Sequence, residues 1–312
     1  MTVSTLPRLA ILEFLEHLEV EKNVSNLTIR NYRQYLNHFV AWFENQGYQD
    51  LKKLDQNILR SYRVYLARVE TQEGSPLAKS TQSYYIIALR SLLKFLVKND
   101  APVLHPEKID LPKKESKSMK FLTDHEQIER LLEQPDLTNH HGPRDRAILE
   151  VLFSTGLRVS ELVSLNRDQV DVKKNEFGVI GKGRRPRVVF LSERSSLWLS
   201  CYLQSREDNW RPVFVRLSGK KPDLLMDGEE MRLTSRSVQR IVDKYCRQGR
   251  LPIKLSPHGL RHTFATDLLS NGASLRDVQE MLGHKNIATT QIYTHVTQPQ
   301  LKKTHQKFHS DF

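Results

Sequence analysis

The sequence predicts a mainly α-helical protein of two domains, a helical bundle followed by an α+β domain whose β content is one small hairpin. Three observations predict it. The chain has 312 residues, more than one average domain and enough for two separate cores. Helical apolar periodicity runs from Leu9 to Lys98 and resumes after residue 119, with a short β-like stretch inside the second part. Between the two parts lies DAPVLHPEKIDLPKKESKSMK, whose three prolines and clustered lysines favour extended, solvated chain.

In the first part, Leu9, Leu12, Leu15 and Leu18 fall three apart and read as the apolar stripe of a first helix. Tyr32, Tyr35, Leu36, Phe39 and Phe43 mark a second, and Ile58, Tyr62, Tyr65, Leu66 and Val69 a third. The segment GSPLAKS then breaks the chain before a fourth helix, Thr81 to Lys98. The last two helices carry Arg60, Arg63, Arg68, Lys79 and Arg90 beside tyrosines, which fits either a nucleic-acid face or a solvated basic surface over a tyrosine-rich core. The expected division is residues 1–105, a linker 106–118, and residues 119–312. Extended chain covers roughly 3.3 Å per residue, so such a linker lets two domains lie on opposite sides of a rod about 20 Å thick.

The second part opens with FLTDHEQIERLLEQP, where Thr123 and Glu126 have the spacing of a capping box, and continues with PRDRAILEVLFSTG. From Val170 to Leu191 the pattern turns to strands: VDVKKNEFGVI, a GKGRR turn, then PRVVFL. Helical patterns return to the C-terminus, and Asn209 to Gly228 carries no clear period.

Lysine and arginine number 48 against 36 acids, a formal net charge of +12 spread along the chain. Such a surface suits a polyanion, nucleic acid first, since neutralising phosphates releases their condensed counterions. Cys201 and Cys246 are far apart with no second pair, which indicates neither a disulfide framework nor a CxxC zinc site but two reduced structural thiols. No apolar run reaches the roughly 20 residues that span a bilayer, and the first residues read as an amphipathic helix with acids in its apolar stretch. The expectation is a cytoplasmic protein without a membrane partner.

Three short segments carry chemistry. In STGLRVSELVSL, Arg158 follows a Thr-Gly break at a helix start, where it could aim at a phosphate, and Glu161 falls on the same helix face to hold it. A plain surface ion pair fits the same residues. In SPHGLRHTFATDLLSNG, a helix beginning at Ser256 or Pro257 would place His258 and Arg261 on its exposed face, with Leu260, Phe264, Leu268 and Leu269 buried. An imidazole beside a guanidinium suits phosphoryl transfer: one moves a proton, the other holds non-bridging oxygens. His262, four residues from His258, raises a zinc pair, but Gly259 stands where a metalloprotease helix has its glutamate. In VQEMLGHKNIATTQIYTHV, His284 precedes Tyr293 by nine residues; singly, each reads as an ordinary helix-end histidine and a half-buried aromatic.

TGLRxSEL, a lysine in a hairpin turn, HxLRH, and GH followed by tyrosine occur here in that order. Together they resemble the tyrosine recombinases of the phage integrase family, and within it the Xer type. The likeness extends through the helical amino-terminal part, the linker, and the tail LKKTHQKFHSD. The chain departs from a compact Xer protein over residues 216–233, which look longer. The resemblance implies a SAM-like DNA-binding bundle ahead of a catalytic α+β domain. It also implies a site of Arg158, Lys182, His258, Arg261, His284 and the nucleophile Tyr293. Lys182 is the best fit in a hairpin crowded by Lys173, Lys174, Arg184 and Arg185.

The implied reaction cuts and rejoins DNA through a 3′-phosphotyrosyl link and a Holliday junction, without ATP, metal or other cofactor. The implied partners are duplex recombination sites and a tetramer on two of them, formed with itself or a paralogue, the tail docking on a neighbour. Resolution of chromosome or plasmid dimers is the expected role; a mobile-element integrase or excisionase has the same chemistry. A type IB topoisomerase, a DNA-binding protein without catalysis and a zinc hydrolase are the competing readings.

Overall fold

The computed structural model describes residues 3–71, 74–111, 122, 124–181, 186–217, 219 and 227–283. Thr123, Lys182, Arg184, Arg185, His284, Tyr293 and the tail lie outside the described residues. The chain divides into two compact units, residues 1–117 and 118–312.

The described residues of the first unit form four α-helices, as the periodicity predicts: α1 (Pro7–Val20), α2 (Asn26–Asn45), α3 (Gln56–Arg68) and α4 (Lys79–Lys98). Pro7 opens α1, where a missing N–H is no loss, and Ser25 and Asp55 accept backbone N–H bonds at the starts of α2 and α3. The core gathers Leu36, Phe39 and Phe43 from α2, Tyr62 and Leu66 from α3, and Leu89, Leu92 and Leu93 from α4. The three-apart leucine stripe on α1 is corrected in its first half. Leu15 is buried and Leu18 partly so, but Leu9 and Leu12 are 48% and 52% exposed, and Ala10, Ile11 and Phe14 join Leu15 on the buried face. Spacing by three alone drifts around a helix of 3.6 residues per turn, whereas the 10-11-14-15 set stays on one face.

Part of the segment read as solvated chain is also packed. Pro106 and Ile109 are buried in this unit, the Arg90 Nε donates to the Pro106 carbonyl at 3.0 Å, and Arg63 Nη2 donates to that of Asp110 at 2.5 Å. Two arginines read from sequence as basic surface thus fasten the start of that segment.

In the second unit, α5 (His125–Leu132) is capped by Asp124, whose carboxylate accepts the Glu126 N–H at 2.9 Å. The cap expected at Thr123 is therefore one residue later, where a full negative charge meets the helix dipole. Helix α6 (Gly142–Thr155) is buried on nearly all sides, and α7 (Val159–Val163) follows it after a short break. Next comes an antiparallel sheet in the order β1 (Val170–Asp171), β2 (Glu176–Ile180), β3 (Pro186–Phe190). The expected hairpin is β2–β3; the extra short strand arises because Asn175, at φ 56°, turns the chain within VDVKKNEFGVI. Helices α8 (Glu193–Gln204), α9 (Ser235–Gln248), α10 (Pro257–Ser270) and α11 (Leu275–Leu282) complete the described part. The core joins α6 to Leu199 and Tyr202 of α8, Phe214, Val238 and Val242 of α9, and Phe177 and Val189 of the sheet. Among the described residues no helix is long and apolar enough to cross a membrane.

Candidate active site

Helix α6 ends on Gly156, whose φ of 58° is left-handed and whose missing side chain leaves room for the Phe264 ring; a Cβ there would lie 2.4 Å from the ring. The sharp exit this permits delivers Arg158 to the start of α7, as the Thr-Gly break predicts. Arg158 Nη1 donates to Glu161 Oε1 at 2.9 Å, and its backbone N–H donates to Oε2 at 2.9 Å. The Arg158 side chain keeps 30% of its surface while that of Glu161 keeps 6%, so the pair is anchored at its acidic end and open at its basic end.

Ser256 caps α10 through the Gly259 N–H and sets His258 and Arg261 in the first turns. Here the expectation of a shared exposed face is corrected. His258 is exposed, but Arg261 is 2% exposed. The helix is enclosed on most of its circumference, Phe264 and Leu268 being only partly buried. Arg261 tolerates burial because its fork meets two carbonyls: Nη1 donates to that of Gly156 and Nη2 to that of Leu282, each at 2.6 Å. Both acceptors end helices, where carbonyls lack intrahelical donors and a cation is favoured.

His258 feels the two arginines. Desolvation first, then the positive charges of Arg261 and Arg158, push its imidazole below the ordinary value and favour the neutral form. Its Nε2 lies 3.0 Å from the Nε2 of His262, which is buried beneath it. Three of the six expected residues are thus brought into one neighbourhood from two segments, Arg158 from the start of α7 and His258 and Arg261 from α10. Lys182, His284 and Tyr293 lie outside the described residues. Gly283, just before His284, caps α11 at φ 64°.

Sequence reasoning missed Arg187. On β3 it pairs in register with Val179, and it shares the inward face of the sheet with Phe177, Val179 and Val189. Its Nη1 and Nη2 donate to the two Glu161 oxygens at 2.9 and 2.8 Å, and its Nε donates to the Met281 carbonyl at 3.2 Å. Burial alone would raise the Glu161 carboxyl; the bonds and charge from Arg187, with those from Arg158, outweigh it and hold that carboxyl at about 2. The signal for Arg187 is an arginine at an inward position of an alternating strand, which needs a buried acceptor.

An imidazole whose neutral form is favoured by desolvation and by two nearby guanidiniums can take a proton, and the guanidiniums can balance charge on phosphate oxygens. The profile described as the phage integrase family matches residues 121–299, and that of the phage integrase N-terminal SAM-like domain matches residues 11–100. The chain is 38% identical over 305 residues to the tyrosine recombinase XerC of Pelotomaculum thermopropionicum, covering 95% of this chain and 96% of that one. It is 32% identical to the tyrosine recombinase XerD of Staphylococcus epidermidis, covering 95% and 97%. In three dimensions it is similar to the XerH site-specific recombinase bound to a palindromic difH substrate, with a TM-score of 0.68 at 21% identity over 99% of this chain and 92% of that one. With both halves matched and the arginines and histidine of its motifs gathered at one place, the chain belongs to the phage integrase family of tyrosine recombinases.

Proposed function

We propose that this chain carries out Xer-like site-specific recombination with Tyr293 as its nucleophile. The Tyr293 Oη attacks the scissile phosphorus, forming a 3′-phosphotyrosyl bond as the P–O5′ bond breaks. His258 takes the phenol proton, Lys182 gives one to the departing 5′-oxygen, and Arg158, Arg261 and His284 hold the non-bridging oxygens. The free 5′-hydroxyl of a partner strand then attacks the phosphotyrosine, releasing Tyr293. The phosphodiester energy is kept in the covalent link, so rejoining draws on no ATP. The observation that carries this reading is the convergence of Arg158, held by Glu161, with His258 and Arg261 of α10, Arg261 being tied to the Gly156 carbonyl two residues before Arg158.

In this reading residues 1–105 form a DNA-binding domain, 106–118 a linker and 119–312 the catalytic domain. Four protomers, identical or paralogous, assemble on two duplex sites and exchange strands in pairs through a Holliday junction in the cytoplasm. The role is resolution of chromosome or plasmid dimers, in keeping with XerC and XerD relatives matched over nearly the whole chain.

The test is a labelled, nicked suicide duplex carrying a site that the chain itself selects from random-sequence DNA, followed by a denaturing gel. The unsubstituted chain is expected to leave a covalent protein–DNA adduct and Tyr293→Phe none; an adduct that survives Tyr293→Phe sinks the assignment. Deleting residues 300–312 is expected to leave first-strand cleavage intact and to impair junction formation, through loss of docking between protomers. Equal junction yield without the tail overturns the docking.

A further inference from the structure

The two guanidiniums on Glu161 are not equivalent. Arg187 holds both carboxylate oxygens with its fork, at 2.9 and 2.8 Å, and is 10% exposed at the side chain. The Arg158 guanidinium reaches one oxygen by a single Nη1 bond, at 2.9 Å, the other oxygen being met by its backbone N–H, and its side chain is 30% exposed. A two-point guanidinium–carboxylate pair is the stronger arrangement and the more neutralising one. Were Glu161 facing Arg158 alone, the same carboxylate would draw that fork into the two-point geometry and cancel its charge. With Arg187 present, two positive groups share one negative group, and the unspent charge resides on the more exposed arginine.

Arg187 also reaches the end of α11. Its Nε donates to the Met281 carbonyl, and the next carbonyl, that of Leu282, accepts from Arg261. Gly283 follows with a left-handed φ of 64°, and a Cβ there would crowd Arg187 Cδ at 3.1 Å. One side chain on β3 therefore fixes the carboxylate behind Arg158 and the helix end from which the chain proceeds to His284.

We propose that Arg187 is a positioning residue of the active site: by occupying Glu161 at two points and tying it to α11, it leaves the positive charge of Arg158 uncompensated and available to a bound phosphate. The inference rests on the phosphotyrosyl reading above. In this proposal Arg187 acts through Glu161 and not by contact with DNA or the reacting atoms.

The experiment compares the full-length chain with Arg187→Ala, Arg187→Lys, Glu161→Gln and the pair Glu161→Gln/Arg187→Ala on the same nicked duplex. Single-turnover adduct formation and half-saturating protein concentration are read separately. Arg187→Ala is expected to slow adduct formation by about 100-fold while half-saturation moves by less than about threefold, the mark of charge lost mainly in the transition state. Arg187→Lys, with its charge but no fork, is expected to fall between. The paired variant is expected to regain at least about tenfold over Arg187→Ala, because removing the carboxylate releases Arg158 from capture.

A scaffold contact would show no such rescue, so a paired variant as slow as Arg187→Ala overturns the proposal, as does Arg187→Ala at the unsubstituted rate. If circular dichroism shows Arg187→Ala unfolded, Arg187→Lys with and without Glu161→Gln carries the same comparison. An unsubstituted chain that forms no adduct sinks the phosphotyrosyl reading, and this inference with it; a normal unsubstituted rate beside an unaffected Arg187→Ala sinks this inference alone.

Discussion

His258 and His262 meet nitrogen to nitrogen, with their Nε2 atoms 3.0 Å apart and their rings inclined at 79°. Two imidazolium rings would set two N–H donors head to head, so at least one ring of the pair is neutral. Desolvation and then the charges of Arg261 and Arg158 favour the neutral form at His258.

A pH dependence follows. The unfolded chain takes up a proton near the ordinary value of 6.5, which the folded site resists to lower pH. The contribution to stability is whole above 6.5 and is lost as the pH falls from there through the lowered folded value. Thermal unfolding followed from about pH 8 to about pH 5 should therefore show the unsubstituted chain losing more stability than His258→Asn. Adduct formation should fall along an acid limb with its midpoint below 6.5. Equal losses in both proteins would remove His258 from the account.

Arg261→Ala tests the buried cation. It leaves the Gly156 and Leu282 carbonyls without the donors they now have at 2.6 Å. Charge-assisted bonds contribute about 1.5–3 kcal/mol each, and part of the loss is offset because a buried cation no longer has to be desolvated; a net cost of about 2–4 kcal/mol is expected. Urea unfolding reads it directly. Arg261→Lys keeps the charge but not the fork and should lose about half as much. Unchanged unfolding in Arg261→Ala would mean that the guanidinium serves phosphate alone.

Much of this was legible in the sequence, for reasons that differ by residue. The four helices of the first unit carry apolar residues at helical spacing, and α2 and α3 also have side-chain caps, so their number is readable; the buried side of α1 is not, because Leu15 belongs both to the three-apart series and to the 10-11-14-15 face. Arg158 and Glu161 could be paired because helix geometry fixes neighbours three apart. The burial of Arg261 could not be read, since its acceptors, Gly156 and Leu282, come from segments distant in sequence. Arg187 was hidden for a related reason. In PRVVF the apolar residues fall on both faces, with Val188 and Phe190 more than half exposed, so strand parity is ambiguous until the register with Val179 is known.

Gly156→Ala isolates the break that delivers Arg158. Alanine at φ 58° pays a left-handed penalty of about 1 kcal/mol, and its Cβ would press on the Phe264 ring from 2.4 Å. The two effects together should destabilise by about 2–4 kcal/mol in urea unfolding. Combining it with Phe264→Leu should recover the crowding part and leave the backbone part. If the pair is no more stable than Gly156→Ala alone, the close approach to Phe264 is not what demands glycine.

The two possible faces of α1 make opposite forecasts for single substitutions. Leu9 and Leu12 are about half in solvent, so Leu9→Gln and Leu12→Gln should each change stability by less than about 0.5 kcal/mol. Phe14 is 2% exposed, with ring neighbours Tyr32 at 5.8 Å and Phe95 at 5.6 Å, so Phe14→Ala should cost about 3–5 kcal/mol. Urea unfolding separates the cases, since the first two midpoints should coincide with that of the unsubstituted chain and the third should fall well below it. A large loss from Leu9→Gln would show that this leucine is covered by something other than its own unit, and dilution would then decide whether the cover is a second copy: the midpoint of the unsubstituted chain would fall with protein concentration.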